Sequence, residues 1–145
     1  MKRTEKYSLQ VLIWHKTNAK RMNKRQYISD LEYCLKITEG QQGNDINEYL
    51  SKLYQSGMNN KENALYHHQT CKPEVLVKKH ILFSSNENDL ILDTFSGSGT
   101  TCACAKALNR HYLGFEINEE YYKSSLDRLN GVVRDGKSEQ TTLFD

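Results

Sequence analysis

The residues best suited to chemistry lie in Asp93-Thr94-Phe95-Ser96-Gly97-Ser98-Gly99-Thr100, with Glu116 farther along the chain. Gly97 and Gly99 allow a sharp backbone turn and an approach to a ligand without a Cβ, and a helix opening at this turn offers unpaired N–H groups. A carboxylate such as Glu116 at the end of the next strand can accept both hydroxyls of a ribose. The combination predicts a nucleoside-binding turn. A dinucleotide fingerprint expects a third glycine three residues after the second and an acid about 20 residues further on. Here Cys102 occupies that glycine position and Glu116 comes too early, which disfavours hydride transfer.

A second cluster, His68-Gln69-Thr70-Cys71-Lys72-Pro73, lies upstream. Lys72 and the Thr70 hydroxyl suit a carboxylate, and Pro73 fixes the start of a helix behind them. With both clusters in view, the chain resembles the DNA amino-methyltransferases. That family's cofactor motif reads Asp-x-Phe-x-Gly-Ser-Gly-Thr, and its second element reads His-x-Thr-x-Lys-Pro. The resemblance covers roughly residues 9–130 and implies S-adenosylmethionine as cofactor. In its terms Glu116 holds the ribose, Gly97 and Gly99 give close backbone, and Phe95 covers the cofactor's side. Thr70, Lys72 and Pro73 serve its methionine end, and Asp93 and Thr100 complete the site. The implied reaction moves a methyl group to the exocyclic amine of adenine or cytosine in double-stranded DNA, with the base flipped out.

The family's catalytic loop, (Asp/Asn/Ser)-Pro-Pro-(Tyr/Trp), has no counterpart here, because Pro73 is the only proline. No catalytic residue is therefore assigned. The order of motifs resembles the permuted members in which the cofactor motifs come last, so the chain reads as a carboxyl-terminal half, truncated or split, with a separate amino-terminal catalytic half as partner. The rival reading is a non-catalytic module that binds S-adenosylmethionine or DNA. Lys20, Arg21, Lys24 and Arg25 form a basic loop suited to DNA phosphates, with Trp14 and Tyr27 near it for packing or stacking. The terminal Gln140-Thr141-Thr142-Leu143-Phe144-Asp145 resembles a sliding-clamp-binding peptide through Gln140, Leu143 and Phe144.

The elements that must position these residues follow from periodicity. Residues 9–14 and 27–37 read as strands flanking the basic loop, and Ile46, Tyr49, Leu50 and Leu53 space a short amphipathic helix over 46–54. From Pro73 onward the order is helix (to about Phe83), strand (90–92), helix (Thr100 to about Asn109), strand (111–115) and helix. Asn118 is its N-cap, Tyr121, Leu126 and Leu129 are inward positions, and Asn130-Gly131 is the stop. Ala103, Ala105 and Ala107 are small enough for close packing on a sheet. Alternation of this kind predicts a parallel sheet and an α/β, Rossmann-like methyltransferase fold, incomplete at its N-terminal side. The domain reading is residues 1–40 as catalytic-half strands with the basic loop, 41–66 as a short variable segment, 67–131 as the cofactor-binding region, and 132–145 as a flexible tail.

The chain has 145 residues and a net charge of +2, unevenly spread. Residues 1–40 hold nine Lys/Arg against four Asp/Glu, and the remainder eleven against fourteen, which suits a molecule that meets a polyanion with one edge. Cys34, Cys71, Cys102 and Cys104 match neither a zinc nor a disulfide framework and read as reduced thiols. No run is apolar for long enough to cross a bilayer and no secretion signal is evident, so a cytoplasmic location is expected.

Overall fold

The computed structural model describes residues 7–20, 27–40, 51–58, 60–66, 68, 70–134 and 140–142. They fall into two compact units, Met1–Met58 and Asn59–Asp145, so the variable segment expected over 41–66 is divided between them. Among the described residues no helix is long and apolar enough to cross a membrane.

The first unit is a three-stranded sheet of β1 (Tyr7–Lys16), β2 (Leu31–Glu39) and β3 (Leu53–Ser56), in the order β2-β1-β3. Strand β1 lies at its centre, antiparallel to β2 with Val11 opposite Leu35, and parallel to β3 with Trp14 opposite Tyr54. The helix expected over 46–54 is thus not the state of Leu53 and Tyr54. Their backbones pair with Ile13 and Trp14, and this tertiary pairing overrides a short helical period. The earlier part of that predicted helix lies outside the described residues. Trp14 is 7% exposed and its indole N–H donates to Ser56 Oγ at 2.9 Å. It is therefore anchored between strands, the packing alternative of the two roles expected for it, while Tyr27 is fully exposed.

In the second unit, α1 (Asn60–Leu65) and α2 (Glu74–Ser84) precede β4 (Leu90–Asp93), α3 (Thr100–Ala107), β5 (His111–Gly114) and α4 (Glu119–Leu129). Strands β4 and β5 pair in parallel, with Asp93 opposite Gly114, as the alternation predicts. The core gathers Ile81, Cys104 and Ala105, with Val77, Ile91 and Leu108 packed against it. Ala105 is fully buried, but Ala107 is exposed because two residues turn a helix by about 200°. Cys102 is also buried, and burial raises its thiol pKa, with Asp93 adding to the effect, so it stays protonated.

Helix α4 starts where the sequence predicts: Asn118 Oδ1 accepts from the N–H groups of Glu120 and Tyr121. Gly131 ends it at a φ of 70°. Its buried face, however, carries Ser125 and Arg128, while the predicted inward residue Leu126 is exposed. Arg128 accounts for the difference. Its guanidinium donates to Thr100 Oγ1 and to Glu74 Oε1, both at 2.9 Å, and lies 4.4 Å from the centre of the Tyr66 ring. A buried charge with these partners replaces an apolar contact and joins α2, α3 and α4. Within 132–145, expected as a flexible tail, β6 (Val132–Arg134) and β7 (Gln140–Thr142) pair antiparallel, in keeping with their valines and threonines.

Candidate nucleoside-binding site

The site lies in the second unit, where β4 and β5 end. Asp93 closes β4 and its Oδ1 accepts the Phe95 N–H at 3.1 Å, turning the chain out of the strand. The chain then passes through Gly97 (φ 52°) and Gly99 (φ 74°), left-handed conformations that an L side chain rarely adopts. A Cβ on Gly97 would lie 2.9 Å from His68 Nε2, and one on Gly99 would lie 2.8 Å from Ser125 Cβ and 3.2 Å from its Cα. These contacts add a second reason for the glycines. The space a side chain would occupy is taken by the protein's own elements, the His68 ring and the first turns of α4.

Glu116 follows β5 and spans the turn. Its Oε2 accepts the Gly97 N–H and its Oε1 the Asn118 N–H, both at 2.8 Å. The Asn118 N–H holds its carboxyl below the usual carboxylate range, with Gly97, Ile117 and His68 contributing, so it is ionised at neutral pH. Each carboxylate oxygen keeps a lone pair after these bonds, which leaves Glu116 able to accept hydroxyl donors.

Two apolar side chains on these turns are uncovered: Phe95, after β4, is 89% exposed and Ile117, next to Glu116 in the chain, 101%. Both follow the ends of adjacent parallel strands, the place where open α/β sheets bind ligands. Phe95 was legible in the motif. Ile117 was not, since only the structure shows its exposure.

The His68–Pro73 segment joins the glycine turn, which connects the two clusters read from sequence. Cys71 is buried, its Sγ lies 3.1 Å from Ser98 Oγ, and its N–H donates to Asn63 Oδ1. Pro73 is buried as the N-cap of α2, whereas Thr70 and Lys72 are exposed. Thr100 is buried and its hydroxyl accepts from Arg128. His68, read in the motif but given no role there, gains contacts with Gly97 and Tyr121 that cross long stretches of sequence. Lys20 is exposed in the first unit, while Arg21, Lys24, Arg25, Leu143 and Phe144 lie outside the described residues. Gln140 opens β7.

A glycine turn and a facing carboxylate at the ends of two parallel strands are the arrangement of a Rossmann-like fold and have the chemistry to fit a nucleoside. The DNA methylase family model matches residues 1–127, and the chain belongs to this family. It is 34% identical over 124 residues to the type II methyltransferase M2.LlaDCHI of Lactococcus lactis subsp. cremoris, a match covering 86% of this chain and 43% of that protein. It is 54% identical over 63 residues to the DNA adenine methyltransferase YhdJ of Escherichia coli (strain K12), covering 43% of this chain and 21% of that protein. Among solved structures, the M1.HpyAVI–SAM complex superposes with a TM-score of 0.71 at 30% identity, over 86% of this chain and 64% of that one. The cytosine-N4-specific PvuII DNA methyltransferase shares the fold, with a TM-score of 0.67 at 20% identity over 90% and 52% of the two chains. The chain spans less than half the length of these two curated relatives.

Proposed function

We propose that the second unit binds S-adenosylmethionine and serves as the cofactor-holding part of a DNA amino-methyltransferase. The observation that carries this reading is Glu116, an ionised carboxylate joined to Gly97, with Phe95 and Ile117 uncovered on the same turns. Such a site accepts ribose hydroxyls at the acid and a flat adenine ring between apolar side chains. Thr70 and Lys72, exposed on the adjoining segment, supply a hydroxyl and a cation for the methionine end, and Asp93 shapes the turn. The bound cofactor supplies an electrophilic methyl group on a sulfonium. The residues of this chain hold and orient it.

Base capture is assigned to a Pro-Pro loop from beyond these 145 residues, on the same or another polypeptide, since Pro73 is the one proline present. Equilibrium dialysis with labelled S-adenosylmethionine tests the binding step. Saturable binding, displaced by S-adenosylhomocysteine but not by NADH, is expected; NADH binding without S-adenosylmethionine binding overturns the proposal. Methyl transfer to DNA is expected only with a polypeptide carrying the Pro-Pro loop, and a chain that stays inert with that polypeptide is a binding module instead.

Lys20, Arg21, Lys24 and Arg25 are proposed to contact phosphates of double-stranded DNA. Their neutralisation should lower the salt dependence of DNA binding, and an unchanged slope removes them from the interface. The terminal Gln140, Leu143 and Phe144 extend the proposal to a sliding clamp, and a pull-down with purified clamp that recovers no chain excludes it.

A further inference from the structure

Within the cofactor site just proposed, on which this inference rests, His68 has contacts that the reaction scheme does not use. The Thr70 N–H donates to His68 Nδ1 at 3.1 Å, so Nδ1 carries a lone pair and the hydrogen of the neutral ring sits on Nε2. The Nε2 edge rests over Gly97, 2.9 Å from where a Cβ would stand. The Gly97 N–H in turn donates to Glu116. On another side the ring meets Tyr121 of α4, with centroids 4.5 Å apart and planes tilted by 54°. His68 thus links Thr70, on the proposed methionine side, to the turn that holds the proposed ribose acid.

We propose that His68 is a positioning residue of the cofactor cradle, a neutral imidazole that pins Thr70 through Nδ1 and supports Gly97 through Nε2, so that cofactor affinity follows the protonation of this ring. Protonation places a hydrogen on Nδ1, where the Thr70 N–H already points, and that bond must break. The resulting cation faces the Glu116 carboxylate and competes for the acceptor that a ribose would use.

The groups around the ring determine the direction of the pH effect. Burial is the largest influence and lowers the His68 pKa below its ordinary value of 6.5; Glu116, after β5, opposes this and Lys72, on the His68–Pro73 segment, reinforces it. Tyr121, on α4, packs its ring against the imidazole. The ring is therefore neutral at pH 7. A cradle that requires the neutral ring keeps full affinity above pH 6.5 and loses it as pH falls through the lowered pKa, by at most about tenfold per pH unit for one proton.

The test combines titration calorimetry with S-adenosylmethionine at pH 7.5 and pH 5 with nitrogen-15 spectroscopy of the His68 ring. The native chain should lose affinity over this interval, by no more than about thirtyfold, the bound that one proton with a midpoint below 6.5 sets. His68→Asn, whose amide oxygen replaces Nδ1 as acceptor, should bind within about threefold of native at pH 7.5 and show no such loss. His68→Phe keeps the ring and loses the acceptor, and should bind weakly at both pH values. The ring spectra should show an unprotonated Nδ1 at pH 7.5 and a midpoint below 6.5, a readout that needs neither variant to fold. Native affinity that does not change between the two pH values, or a protonated Nδ1 at pH 7.5, overturns the role of His68. No binding by the native chain at pH 7.5, with the expected ring spectra, overturns the cofactor reading instead.

Discussion

Glu116 does two tasks with one carboxylate, since the oxygens that tie the glycine turn to the start of α4 are those offered to a ligand. Glu116→Gln places an amide donor against a backbone N–H and removes the charge. A hydrogen bond to a charged group contributes about 1.5–3 kcal/mol, so S-adenosylmethionine affinity should fall by roughly ten- to a hundredfold in calorimetry, and equal affinity would separate Glu116 from the ligand. Because its pKa is lowered, Glu116 stays ionised above its ordinary value and loses its charge only in stronger acid. A loss of affinity that develops between pH 5 and 6.5 is therefore not the titration of Glu116. At this scale much was legible in advance. The Asp93–Thr100 motif and Glu116 could be read because turn chemistry is local, whereas the contacts of His68 with Gly97, of Ser125 with Gly99 and of Arg128 with Thr100 depend on how distant segments pack.

Elements α2, α3 and α4 are held to one another by Arg128, whose side chain is almost wholly buried. Arg128→Leu takes the donor from Thr100 Oγ1 and from Glu74 Oε1, while Lys78 still donates to Glu74 Oε2. Removing one partner of a buried pair costs about 3–5 kcal/mol, a value to be reduced here because Glu74 is partly exposed. A loss near 2 kcal/mol by denaturant unfolding is the expected outcome, and a change below about 0.5 kcal/mol would show that the node is dispensable. Burial raises the Glu74 pKa, but its bonds to Lys78 and Arg128 lower it further, with a net shift downward. Its contribution to stability is thus present above the unfolded carboxylate value and disappears as pH falls through the lowered folded value. The difference between native chain and Glu74→Gln should accordingly shrink toward pH 3. The sequence placed α2, β4, α3, β5 and α4 closely, since caps and periodicity are local signals. It misplaced Leu53 and Tyr54, where strand pairing with β1 decides the state.

For the molecule as a whole, the two units differ in how complete they are. The second encloses a small core, whereas the first leaves Leu9, Val11, Tyr33, Leu35 and Ile37 exposed on one face of its sheet. Apolar surface of this kind is adhesive. The double substitution Leu35→Lys and Ile37→Lys should reduce dye binding and light scattering while leaving cofactor affinity intact, and unchanged scattering would mean that this face is not the adhesive one. Strand–helix alternation, motif order and the single proline indicate an incomplete α/β fold, and the match to less than half of each of the two curated relatives agrees with that reading. The central claim is that the ends of β4 and β5 form the S-adenosylmethionine cradle. A titration of the nitrogen-15-labelled chain with S-adenosylmethionine at pH 7.5, followed by amide chemical shifts, tests it most directly. The account predicts saturable shifts concentrated at Phe95, Gly97, Glu116, Ile117 and Asn118. Shifts confined to other residues, or no shifts from a folded chain at millimolar ligand, would contradict it.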